Sequence, residues 1–413
     1  MAHTTTEHAP SASVGSLARY AVAAGLARIA DEMVGVSVVL LVLGRTGDLG
    51  LAGAAVGGYT LPAVLTGPLL GAWLAGARRP KLALAANELV LAGVTVGLVA
   101  TVGRAPAAVV LVLTLLAGAS LPLTSGGFSS LLPAMVGAAG LPKANTVDAT
   151  TINCAAIAGP ALAGTVAATL GPAAAVGMIG VVAVLSVLAT VAVPAHRAVG
   201  GTRPALLRIA RDGLAHLVRM PPLRAATLAS VISYGCVGLL VVALPARVVE
   251  LGAPRAAAGY VWTALECGAL ASVLLLVPRL RRFRPELVVF GAVGAYGVVL
   301  AGMAALPTLA LTVAVAAVAG IAEGPCLPAV FVARQRYSPD QLLAQVATTG
   351  ASLKIGAFSL GSVLSGALTG PLGPTGMLLL AAGGQVVAAL AGWVVGLTTS
   401  DDLPTSPDPR RTP

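Results

Sequence analysis

The sequence predicts an all-helical integral membrane protein, with twelve transmembrane helices in two pseudo-symmetric six-helix bundles. Three observations predict it. Hydrophobic residues make up 57% of the 413-residue chain and charged residues only 10%, whereas a soluble domain is about 25% charged. Apolar runs of about 20 residues, long enough to cross a bilayer, recur along the chain. One constant offset of 202 residues lays features of the second half over the first. An aromatic content of 3% argues against a membrane barrel, whose rims need aromatic girdles.

Taken in order, the apolar runs between polar breaks place the first six helices at 17–43, 50–75, 82–102, 106–134, 146–170 and 173–193. The second six fall at 224–248, 256–278, 286–306, 308–333, 343–369 and 376–398. These limits follow hydropathy. They divide the chain into a cytoplasmic tail (1–16), an N-terminal bundle (17–193), a linker (194–223), a C-terminal bundle (224–398) and a disordered cytoplasmic tail (399–413). The first stretch, MAHTTTEHAPSASVG, has neither a basic region nor an apolar core, so no cleaved signal peptide is expected. In the linker, Leu207, Ala210, Leu214 and Leu217 share one helical face opposite Arg208, Arg211 and Arg219. This predicts an amphipathic helix on the inner membrane surface.

The net charge of +10 belongs to the membrane rather than to nucleic acid, because the basic residues flank apolar runs. Nineteen of the 25 Lys and Arg residues fall on one side when the N-terminus is inside. The positive-inside rule then sets both termini in the cytoplasm of a plasma-membrane protein. The four cysteines, Cys154, Cys236, Cys267 and Cys326, all lie within expected spans and lack a C-x-x-C spacing, so packed free thiols are expected. All four histidines lie outside the spans. No metal and no cofactor is expected, and a monomer is the expected state.

The repeat rests on several matches at one offset. Ala117–Gly118 recurs as Ala319–Gly320, Gly159 and Gly164 as Gly361 and Gly366, Gly171–Pro172 as Gly373–Pro374, and Arg45 as Arg247. A single match in so Ala- and Gly-rich a chain means little; one offset serving loops and helices points to parallel six-helix repeats.

Charges at bilayer depth cost about 2.5–3.5 kcal/mol each on insertion scales, so they need a reason. Asp31, Glu32, Glu266, Glu323 and Lys354 fall near the midplane, with Arg28 one turn toward the cytoplasm. Pairing both bases leaves two acids unmatched, and a lone carboxylate in a low dielectric takes up a proton or recruits a cation. These six are the candidate proton or substrate site. Each also has a structural reading. Arg28 reaches Asp31 at i+3 and Glu32 at i+4, and the better spacing assigns Arg28 to Glu32 and leaves Asp31 to titrate. Glu323 and Lys354 form either a bridge between helices 10 and 11 or part of the working site. Glu88 reads as a snorkelling or locally paired residue. Ser230, Ser233 and Tyr234 are the repeat mates of Arg28, Asp31 and Glu32, and with Asn153 they are candidates for lining a central cavity.

Twelve spans, a 6+6 repeat and a basic central loop resemble the major facilitator superfamily over almost the whole chain. Local motifs resemble its drug-efflux, macrolide-exporter-like branch. Helix 1 carries Arg28-Ile29-Ala30-Asp31, similar to that branch's R-x-x-D. The stretch GPLLGAWLAGARRPK matches the helix 2–3 motif at Gly67, Pro68, Gly71, Arg79 and Lys81, with Arg78 beside them. Pro122, Phe128, Leu132–Pro133 and Ala144–Asn145 resemble the branch around helix 4, and GPALAG, with Gly159, Pro160 and Gly164, resembles the exporters' antiporter motif. The chain departs from the pattern at Ala75–Gly76, where the family has Asp-Arg, and in having no arginine within helix 4.

The resemblance implies a secondary transporter, not an enzyme, working by alternating access. The expected activity is multidrug-resistance-type efflux of a small amphipathic or cationic compound by proton antiport. Uptake or facilitated diffusion of a small metabolite is the alternative, and a non-transporting membrane sensor or scaffold is a second. The sequence has no Walker-type G-x-x-x-x-G-K-[ST] stretch and no Gly-Lys pair, so ATP-driven pumping by this chain is not expected.

The charge count sets a topology test. Single cysteines introduced in Ala77–Lys81, Pro194–Pro222 and Arg279–Arg284 should resist a membrane-impermeant maleimide in intact cells and react after lysis. Labelling of the first or last of these loops from outside would overturn the twelve-span arrangement.

Overall fold

A chain this apolar satisfies its backbone in lipid only by closing every hydrogen bond within helices, and the computed structural model of the protein is all helical among the residues it describes: 14–75, 77, 79–193 and 206–397. The two expected tails lie almost wholly outside the described residues, as do Arg78 and the first part of the linker.

Helix α1 spans Val14–Thr46, unbroken by proline, and ends at Gly47, whose φ of 67° closes the turn. Helices α2 (Leu49–Thr60) and α3 (Ala63–Ala75) form one expected span that breaks just before Pro62–Ala63. Pro62 has no N–H to continue the ladder. Then come α4 (Pro80–Thr101) and α5 (Ala107–Pro122), a π-helical turn (Leu123–Gly127) and a 3-10 turn (Ser129–Leu131). Helix α6 (Leu132–Leu170) runs through the expected loop around Lys143, because Pro142 does not interrupt it, and α7 covers Pro172–Ala192.

Beyond the linker are α8 (Leu206–Arg219), α9 (Pro221–Gly238), α10 (Leu240–Glu250) and, after a 3-10 turn, α11 (Ala258–Leu275). They are followed by α12 (Val277–Leu280), α13 (Pro285–Ala304), α14 (Leu309–Glu323) and α15 (Cys326–Tyr337). Helix α16 (Asp340–Leu397) is two helices joined at Gly373 (φ 69°).

Eight of the described helical stretches are long and apolar enough to cross a membrane, or nine when α9 and α10, bent by 43°, count as one. The shortfall from the expected twelve has physical causes. Arg28, Asp31 and Glu32 put three charges into the apolar run of α1, α5 is only 16 residues long, and Gln345–Gly396 runs through Gly373 as one stretch of 52 residues.

The 202-residue offset has a physical counterpart. Arg45 bonds the carbonyl oxygens of Val99 and Val102, and Arg247 bonds those of Ala304 (3.1 Å) and Leu306 (2.9 Å). Val102 and Ala304 stand 202 apart, like the two arginines. The first residues of α5 and α14, Ala107 and Leu309, keep the same offset, and so do the positive-φ glycines Gly171 and Gly373. Each arginine ties off the end of a helix, where the last carbonyls lack intrahelical partners.

Helices α1, α4, α6 and α7 pack together, α9, α13 and α16 do likewise, and α11 packs on α14. The two sets meet where α6 lies on α11 and where α2 lies on α16. Small residues make both contacts close, as membrane helix packing requires. A Cβ on Gly164 would stand 2.8 Å from the Ala256 carbonyl oxygen and 3.1 Å from the Gly259 Cα. A Cβ on Gly366 would stand 3.0 Å from the Gly50 carbonyl oxygen.

Two expectations change here. The linker helix α8 does not lie on lipid alone: Leu217 is buried with Leu223 and Val346, and the His216 ring nitrogen lies 2.9 Å from the Tyr337 carbonyl oxygen. The cysteines are all free, yet only Cys236 and Cys326 are packed; Cys154 and Cys267 are exposed.

Gly164→Leu forces α6 away from α11, an overpacking that costs about 1–3 kcal/mol. The protein should insert normally while its transport rate falls about tenfold or more. Full transport by a normally expressed Gly164→Leu protein would show that this contact need not be close.

Candidate functional site

The helices enclose a cavity of about 700 Å³. Its wall carries four carboxyl side chains: Asp31 and Glu32 from α1, Glu266 from α11 and Glu323 from the end of α14. Five aromatic residues share that wall, namely Tyr59, Tyr234, Trp262, Tyr296 and Phe358. The rest of the wall is small or aliphatic, including Gly67 and Pro160. Convergent polar groups in a concave, largely apolar wall are the ordinary form of a small-molecule site.

Helix α1 brings in two acids because of how it is held. The Arg28 guanidinium donates to Asp148 Oδ1 (2.7 Å), to the Asp148 carbonyl (3.2 Å), to Ser129 Oγ (3.1 Å) and to Thr151 Oγ1. Tyr20 donates to the same Asp148 oxygen, and Ser129 donates to Oδ2 at 2.7 Å. The pair is buried, with side chains 5% and 11% exposed. This corrects the expected bond from Arg28 to Glu32. Helical side chains lean toward the N-terminus, so Arg28 points away from the acids one turn later. A base preceding its acid is also the poorer order for an i,i+4 pair. Asp148 was missed because the expected start of helix 5 at residue 146 placed it at the membrane edge.

The two α1 acids differ in their surroundings. Tyr59 donates its hydroxyl to Asp31 Oδ1. Glu32 is exposed and lines the cavity, sharing its wall with Asp31 on its own helix and with Glu266 of α11. Gly159 makes this placement possible, since a Cβ there would lie 2.9 Å from the Glu32 backbone carbon. Among the described residues, no Lys, Arg or His lies within 4 Å of any of the four cavity acids. No three acid, His or Cys groups among them converge as a metal site either.

Lys354 is half-buried, with its Nζ 4.6 Å from the centre of the Tyr234 ring. Tyr234 lies against Phe358, ring centres 5.4 Å apart. The other polar candidates turn to backbone: Ser230 donates to the Thr227 carbonyl (3.0 Å) and the exposed Asn153 to the Ala149 carbonyl (3.0 Å). Ser233 is buried, and its own carbonyl accepts from Gln385 (3.1 Å). Glu88 does not snorkel. It is fully buried, accepting from Asn87 (2.9 Å) and from Thr124 (3.0 Å) in the π-helical turn.

Of the helix 2–3 motif, Gly67 lines the cavity and Arg79 is exposed. Lys81 donates to the Val193 and Val191 carbonyls, tying α4 to the end of α7. The surroundings of Pro68 and Gly71 are outside what the structure describes.

Residues 20–349 match the Major Facilitator Superfamily. The chain belongs to that family. It is therefore a multi-pass membrane transporter of small molecules, not an enzyme. It is 26% identical over 381 residues to an uncharacterised MFS-type transporter, y4rN, of Sinorhizobium fredii, covering 89% of this chain and 92% of that one. It is also 26% identical over 328 residues to the multidrug efflux pump Tap of Mycolicibacterium fortuitum, covering 76% and 79%. In fold it is similar to the nucleoside transporter NupG (TM-score 0.72, 13% identity), covering 92% of this chain and 99% of that one.

Removing one partner from a buried ion pair leaves the other uncompensated, at about 3–5 kcal/mol. Asp148→Asn should therefore lower the thermal unfolding temperature of the detergent-solubilised protein clearly. Arg28→Met with Asp148→Leu should recover most of the loss. Equal stability of Asp148→Asn and the native protein would remove this pair as the anchor of α1.

Proposed function

We propose that the protein is a secondary transporter that moves a small, positively charged amphipathic organic solute across the membrane by alternating access. The observation that carries this is the cavity itself, with four carboxyl groups, five aromatic residues, and no base within ion-pair distance among the described residues. A cationic solute supplies the charge these acids lack, and aromatic faces accept its cation or its apolar body. Movement of a metabolite in either direction stands ahead of dedicated drug efflux, because nothing in the cavity fixes a direction. Protons are the candidate coupling ion, exchanged at the cavity acids that Arg28 leaves unpaired. Proton-coupled efflux remains a second reading, favoured by the similarity to the pump Tap.

In this reading the chain crosses the membrane twelve times. The nine apolar crossings are joined by α1, by α5 with its π-helical turn, and by a second crossing within α16 beyond Gly373. Two six-helix bundles, 17–193 and 224–398, rock about the α6–α11 and α2–α16 contacts. The termini lie on the cytoplasmic side, where the basic loops gather, and the working unit is the monomer.

Reconstituted proteoliposomes test this reading with radiolabelled organic cations, measured with and without imposed pH and voltage gradients. Glu32→Gln should cut transport of a cationic solute about tenfold or more, the scale of a lost charge-assisted contact, with normal insertion. Collapse of accumulation by a protonophore would select the proton-coupled form. Equally fast transport of a neutral sugar, unaffected by Glu32→Gln, would overturn the charge reading.

A further inference from the structure

Lys354 is a base beside a cavity of four acids, yet it makes no ion pair within 4 Å among the described residues. Its ammonium group instead rests on the face of Tyr234, 4.6 Å from the ring centre. Tyr234 is 37% exposed and lines the cavity, and its ring lies against Phe358, tilted 39° to it. Glu323 lines the same cavity as Tyr234. Glu32 and Glu266 share that wall as well. An aromatic face with a second ring beside it is how proteins hold an organic cation, and the cavity wall adds carboxyl groups.

The place is peculiar to one half of the repeat. At the 202-residue offset, Tyr234 corresponds to Glu32 and Lys354 to Ile152, so the first half has neither the ring nor the amine. A lysine held only by an aromatic face, on a flexible four-carbon stem, can be displaced without breaking a salt bridge. A lysine in a bidentate ion pair could not.

We propose that Lys354 is a tethered cation occupying the ammonium subsite of the cavity, and that a solute bearing an ammonium or quaternary ammonium group displaces it from Tyr234. This rests on the cationic-solute reading above and names the group that is recognised. Lys354 then sets affinity by competition. It keeps the subsite neutralised when no solute is present, and it weakens binding enough to allow release.

The test uses the purified full-length protein and benzyltrimethylammonium, a permanently charged probe, with binding followed by calorimetry. Lys354→Gln should bind the probe about five- to tenfold more tightly than the native protein, the scale of one competing cation–π contact. Lys354→Arg should show no gain. Adding Tyr234→Leu to Lys354→Gln should abolish the gain. If Lys354→Gln is poorly folded, Lys354→Met removes the same charge and should give the same tightening. Native protein that binds the probe, with Lys354→Gln and Lys354→Met binding it no more tightly, overturns the tethered-cation proposal alone. No binding by the native protein or by any of these variants overturns the cationic-solute reading and this proposal with it.

Discussion

The buried pair of Arg28 and Asp148 holds α1 at a fixed rotation, and much of the site follows from that rotation. With Arg28 turned to Ser129, Asp148 and Thr151, the next turn presents Asp31 and Glu32 to the cavity. The pair contributes orientation more than net stability, because desolvating two charges offsets most of their attraction. Tyr20 adds a second hydrogen bond to the oxygen that Arg28 holds, and Ser129 satisfies the other. It also withdraws one of the two membrane-embedded bases from the acids, so the cavity is more acidic than a count of charges suggests.

The second constraint is backbone approach. Glycine at 164 and at 366 lets α6 meet α11 and lets α16 meet α2 with almost no side-chain volume between them. Contacts of this kind are held by packing without salt bridges or long side chains. Two such seams join the helices on either side of the cavity, and Arg45 and Arg247 tie off helix ends at equivalent places. The void is where polar and charged residues can be accommodated away from lipid.

Within that void the chemistry is asymmetric although the backbone repeats. One wall offers Asp31, restrained by Tyr59, and Glu32, which has no such restraint among the described residues. The other offers Glu266, Glu323, Tyr234 and the lysine resting on it. A repeat with different side chains at corresponding positions gives a solute two unlike faces, and orientation within the cavity follows from that difference.

The sequence by itself determined the membrane class, the helical architecture, the repeat offset and which ionisable residues interrupt apolar runs. Each of these is written in hydropathy and spacing, which act locally along the chain. All four cavity acids were legible in this way, because a charge in an apolar run is conspicuous wherever it lies. Only the tertiary structure decided which charge meets which. Arg28 and Asp148 stand 120 residues apart, and no helical spacing relates them. Lys354 finds Tyr234 rather than a carboxylate because the rotations of α9 and α16 about each other place the ring under the amine. Ser230 and Asn153 read as cavity residues on polarity alone, yet their side chains bond their own helix backbones. Which face of a helix looks inward is set by packing against its neighbours, and in a chain apolar all round, periodicity carries too little signal to reveal it.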